Sequence, residues 1–132
     1  MADARGLLDT SVVVDHDLVD PALLPDGSAI AAITLAELAA GPHATDDPDE
    51  RARRLDRLQW AAATWDPLPF DAEAARAYGR IFAATRAAGR TGRSRLADLL
   101  IASTAAANGL PIYTRNPGDF VGLEDIVTIV GL

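Results

Sequence analysis

The chain has 132 residues, a net charge of −7, and twelve basic residues that are all arginine, with no lysine and no cysteine. That length is enough for one core and too short for two. The missing residue types exclude thiol nucleophiles, thiolate zinc sites, Schiff-base chemistry and the P-loop lysine. An acidic balance also argues against a general nucleic-acid binder.

Residues 1–132 therefore read as a single domain. Met1-Ala2-Asp3-Ala4-Arg5 lacks the basic start and apolar core of a signal peptide, and no apolar run approaches the roughly 20 residues of a membrane span. A cytoplasmic protein with no membrane contact is expected. In chain order, short apolar runs alternate with longer helical stretches, which argues for an α/β fold with a mainly parallel central sheet. A strand over Gly6–Asp9 leads into a helix over Ser11–Leu18, and the Pro/Gly-containing stretch from Asp20 to Ser28 is a loop. A second strand is expected at Ala29–Ile33, followed by a helix at Leu35–Ala40 that Gly41-Pro42 stops. The helix Pro48–Thr64 carries a buried stripe of Leu55, Leu58 and Ala62, with Asp49–Arg53 and Glu50–Arg54 as surface pairs. Trp60 and Trp65 are core or interface anchors. The strand Trp65–Leu68 is placed at an edge by Pro67 and Pro69. Helices follow at Ala72–Ala88 and Arg95–Asn108, then strands at Ile112–Thr114 and Ile126–Val130.

Four acids stand inside or beside apolar sequence: Asp9 after Leu7-Leu8, Glu37 in Leu35-Ala36-Glu37-Leu38, Asp98 in Leu96-Ala97-Asp98-Leu99, and Asp119 in Asn116-Pro117-Gly118-Asp119-Phe120. Each has a structural alternative. Asp9 and Asn116 suit helix N-caps, Glu37 completes a capping box with Thr34, and Asp98 favours the dipole of a first turn after Ser94. Taken together, three of them follow strands at one sheet edge, where open α/β folds bind ligands, and Asp98 lies on the helix leading into the fourth strand. Two carboxylates about 4 Å apart repel by roughly 4 kcal/mol at an effective dielectric near 20, so such a group must protonate, separate or hold a cation. Mg²⁺ or Mn²⁺ suits an all-oxygen cage, and such an ion activates water and stabilises charge on a phosphate. Asp15 and Asp17 read as solvated, and His16 and His43 have no ligand spacing. Arg86, Arg90, Arg93 and Arg95 form a basic cluster, either a complement to a helix C-terminus or a phosphate-binding patch.

The ordered segments Leu7-Leu8-Asp9-Thr10-Ser11, Ile33-Thr34-Leu35-Ala36-Glu37-Leu38, Leu96-Ala97-Asp98-Leu99-Leu100-Ile101-Ala102 and Tyr113-Thr114-Arg115-Asn116-Pro117-Gly118-Asp119-Phe120 resemble the motifs of PIN-domain ribonucleases, above all the VapC toxins of toxin–antitoxin pairs. The resemblance implies a three-layer α/β/α fold and Mg²⁺- or Mn²⁺-dependent cleavage of RNA to a 5′-phosphate and a 3′-hydroxyl. It also implies a VapB-type antitoxin and a homodimer. By motif position Asp9, Glu37 and Asp98 would hold the metal, with Asp119 a fourth catalytic acid. Thr10, Ser11 and Thr114 would orient waters or carboxylates around them, and Asn116 would supply a carbonyl ligand or a hydrogen bond. Asn116 departs from the family pattern, standing where many members carry Asp, which puts a second tightly held metal in doubt. Two rivals stay open: an aspartate-based phosphatase with Asp9 as nucleophile, disfavoured by Ser11 in place of a second acid, and a non-catalytic module binding a basic partner.

Overall fold

A computed structural model describes residues 5–90 and 95–132. Four strands, β1 (Arg5–Leu8), β2 (Gly27–Ala29), β3 (Ile112–Thr114) and β4 (Ile129–Gly131), form one sheet in the order β2-β1-β3-β4, with every pairing parallel. The helices are α1 (Thr10–Val14), α2 (Ala32–Ala40), α3 (Pro48–Thr64), α4 (Ala72–Ala87) and α5 (Leu96–Ala107).

Successive side chains of a strand point to opposite faces, and the core divides on that alternation. Leu7 and Ile112 face one way, into a cluster with Ile81 of α4, Leu99, Ile101, Ala102 and Ala105 of α5, and Phe120 and Leu123. Leu8 and Tyr113 face the other way, against Val12 and Val13 of α1, Ile30, Leu38 of α2 and Ala61 of α3. Helices thus cover both faces, the α/β/α arrangement expected of a buried parallel sheet. Tyr113 packs where Gly6 has no side chain. A Cβ at Gly6 would lie 2.7 Å from Tyr113 Cδ1 and 3.1 Å from Pro25 Cγ.

Several expected elements move. The strand expected at Ala29–Ile33 ends at Ala29, because Ala31 is already the N-cap residue of α2. The segment Trp65–Leu68 makes a single bridge, with Leu68 N donating to Ile30 O (2.9 Å) and Ala32 N to Leu68 O (2.8 Å). Pro67 and Pro69 on either side have no N–H to extend a ladder. The last strand begins late, since Ile126 and Val127 donate instead to Leu123 O at 2.9 and 3.0 Å. The first helix breaks after Val14 into a short 3₁₀ turn, His16–Leu18. By contrast, α3 and β3 keep the expected bounds, and α4 and α5 differ from them by one residue at most at each end. On α3 the buried position is Ala61, whereas Leu55 is 43% exposed and Ala62 is exposed. Arg53 pairs with Glu50 at 3.3 Å rather than with Asp49, and Arg54 reaches Glu50 at 3.7 Å. Ser94 and Arg93 lie outside the described residues. Among the described residues no helix is long and apolar enough to cross a membrane.

Candidate active site

Asp9 follows β1 directly, and its backbone N–H donates to Tyr113 O at 2.9 Å, which ties it to β3. It occupies the N-cap position of α1 without capping it. Its side chain turns instead toward β3, where Oδ2 accepts from Thr114 Oγ1 and from Ser11 Oγ, both at 2.8 Å. The residue is 3% exposed. A buried carboxylate is tolerated only when donors surround it. Those donors are held in turn: Ser11 Oγ accepts from Arg115 N (3.1 Å) and Thr114 Oγ1 accepts from Asn116 N (3.0 Å). Among the described residues no buried side-chain nitrogen or oxygen lacks a partner.

Glu37 stands on α2 and is exposed. The capping-box role suggested by its spacing from Thr34 does not form, because α2 begins at Ala32 and Thr34 lies buried within its first turn. Thr10 Oγ1 donates to Glu37 Oε1 at 2.6 Å and lies 3.0 Å from Thr34 Oγ1. A chain of hydroxyls therefore joins the start of α1 to α2. Thr34 was absent from the expected site residues, although its position one turn before Glu37 puts both on one helix face.

Asp98 sits in the first turn of α5. Burial pushes its carboxyl up to about 6, and the negative charges of Asp9, Asp119 and Glu37 add to the rise, while Arg95 opposes it. Asp98 thus feels the charge of each of the other three acids. Among the described residues, no three acids or histidines already stand in ligating geometry.

Asp119 lies in the 3₁₀ turn Pro117–Phe120, and Arg95 Nη1 donates to its Oδ1 at 3.0 Å. Arg90 Nη1 donates to Gly118 O of the same turn at 2.6 Å. Asn116 is exposed and contributes its backbone, receiving Asp119 N on its carbonyl at 2.9 Å. Arg86 is exposed in the last turn of α4. Asp15, expected to be merely solvated, pairs with Arg115 at 3.2 Å. His16 packs edge-on against Trp60 (ring centroids 5.0 Å apart) and near Trp65, and His43 is exposed in the turn Gly41–Ala44.

Two cavities lie between α1 and α3. The smaller, about 250 Å³, is bordered by Thr10, Val14, Glu37, Arg54 and Arg57 and so opens beside Glu37. The larger, about 390 Å³, shares Val14 and Arg57 with it and extends to His16 and Trp60. The groups that this sheet edge offers are carboxylate oxygens, with hydroxyls bonded to Asp9 and Glu37. Such a set, carrying excess negative charge, fits a hard divalent cation.

The PIN domain family matches residues 6–121 of the chain. Ribonuclease VapC5 of Mycobacterium tuberculosis is 39% identical over 129 residues, covering 96% of this chain and 93% of that protein. Ribonuclease VapC8 of the same species is 38% identical over 101 residues, covering 76% and 89%. Among solved structures, that of VapBC-5 from Mycobacterium tuberculosis, a member of the VapBC family of toxin–antitoxin systems, superposes with a TM-score of 0.86 and 39% identity, covering 98% of this chain and 99% of that one. FitAcB from Neisseria gonorrhoeae superposes with a TM-score of 0.71 and 26% identity, covering 94% and 95%.

Proposed function

Since the chain belongs to the PIN domain family, we propose that it is a divalent-metal-dependent endoribonuclease, the toxin of a type II toxin–antitoxin pair that a VapB-type antitoxin restrains. The near full-length likeness to Ribonuclease VapC5 and to VapBC-5 supports the assignment. The observation that carries it to chemistry is the convergence on Asp98 of the charges of Asp9, Glu37 and Asp119.

Asp9, Glu37 and Asp98 would hold the cation, Mg²⁺ or Mn²⁺, with Asp119 at its margin. When bound, the ion supplies positive charge against the scissile phosphate and makes a water a better nucleophile. The chain's own groups do the rest. Ser11 and Thr114 fix Asp9 through one carboxylate oxygen, which leaves its other oxygen for the ion. Thr10 fixes Glu37 in the same way, and Glu37, the acid most open to solvent, is available to accept the proton of the attacking water. In-line attack then breaks the P–O3′ bond, leaving a 5′-phosphate and a 3′-hydroxyl. Arg86 and Arg90 steer the strand toward the acidic edge. The protein works in the cytoplasm as a homodimer until its antitoxin binds.

The test is cleavage of total RNA by purified protein and its Asp98→Asn variant, each with Mg²⁺, Mn²⁺ or excess EDTA. Discrete fragments that require the metal and vanish in the variant are expected. Equal cleavage by a folded Asp98→Asn protein would sink the assignment.

A further inference from the structure

Arg95, one of the basic cluster noted in the sequence, is the arginine that pairs with an acid of the site. It precedes α5 by one position, three residues before Asp98, yet its guanidinium reaches across to the turn Pro117–Phe120 and pairs with Asp119 at 3.0 Å. Both partners are about one-third exposed, 33% and 37%. A pair so placed is weak enough to exchange, because solvent screens it and neither charge is buried by it. The turn does not depend on that pair for its position. Arg90 holds Gly118 O, Asn116 O takes Asp119 N, and Phe120 is fully buried. Arg95 is therefore free to leave Asp119 without the turn collapsing.

From this geometry we propose that Arg95 is an exchangeable counter-ion: it holds Asp119 while the acidic site lacks a cation, gives Asp119 up when a divalent ion enters, and passes to a phosphate of the RNA strand. A guanidinium suits both partners, since it pairs with carboxylate and with phosphate through the same donors. Arg95 acts here as a positioning residue, through Asp119 and the phosphate. The inference rests on the nuclease reading above.

The experiment measures Mn²⁺ affinity in the absence of RNA, and affinity for a fluorescent single-stranded oligoribonucleotide in Ca²⁺, for the parent, Arg95→Gln, Asp119→Asn and the double variant. Arg95→Gln should bind Mn²⁺ roughly two- to five-fold tighter, the range a partly exposed ion pair supports. That gain should largely disappear in the Asp119→Asn background, as coupling between the two residues requires. The same Arg95→Gln variant should bind the oligonucleotide more weakly, and Arg95→Lys should recover part of the loss. Opposite signs for the two ligands separate this role from a structural one, which would weaken both. An equal gain in both backgrounds would mean a general charge effect and would overturn the proposal, as would unchanged Mn²⁺ or oligonucleotide affinity. A parent protein that binds no Mn²⁺ would overturn the nuclease reading as well, which distinguishes the two failures.

Discussion

The Asp98 carboxyl is raised by burial and by the charges of Asp9, Asp119 and Glu37, and it sets a pH dependence whose sign can be worked out. It stands near 6, above the ordinary 3.8. A divalent ion must displace that proton, so apparent Mn²⁺ affinity should hold above pH 7 and fall by up to about tenfold per unit below pH 6. A folded-state pKa raised in this way means that the stability cost of Asp98 is absent below about pH 4 and fully present above pH 6. The cation-free Asp98→Asn protein should therefore be more stable than the parent at pH 8, by on the order of 1 kcal/mol after discounting for solvent screening. The two should converge at pH 4 in denaturant titrations, and a parent that is the more stable at pH 8 would refute the account. The four acids were legible in the sequence because a lone charge beside an apolar run needs a reason. Their partners were less so. Thr34 was masked by a capping spacing that α2 does not use, and the Arg95–Asp119 pair joins residues 24 positions apart.

At the scale of elements, β1 shows how closely the strands are fitted. Gly6 leaves room for the Tyr113 ring, and a methyl group there would lie 2.7 Å from Tyr113 Cδ1. Gly6→Ala should cost roughly 1–3 kcal/mol, an overpacking penalty, and should lower the denaturant midpoint while leaving the acids themselves unaltered. A midpoint unchanged from the parent would show that the ring has somewhere else to go. Helices with explicit end signals were readable to the residue. Asp47 caps α3 with a bond to Asp49 N at 3.3 Å, and Pro48 takes its first position. The apolar run Ala29–Ile33 carried no such mark. Period cannot separate a buried strand from the start of a buried helix over so few residues, and the chain uses the run for both.

For the whole molecule, a cation held by the four acids as proposed would couple binding to folding, because they come from the residue after β1, from α2, from α5 and from the turn before β4. Free Mn²⁺ at about a hundred times its dissociation constant should stabilise the fold by ~2.7 kcal/mol. That corresponds to a rise of roughly 10 °C in the unfolding midpoint for a chain of this size. Asp9→Asn should show little of it, and an equal rise in that variant would place the ion elsewhere. The sheet that gathers these acids pairs Leu7 with Ile112, and Asp9 takes a hydrogen bond from Thr114, 105 residues later. Parallel pairing over such separations forms late in folding. A nascent chain carries Asp9 from the outset but must be lengthened by those 105 residues before the carboxylate meets its donor. The proposed centre is therefore assembled only when the chain is nearly complete, because the last of Asp9's donors is among the last residues made.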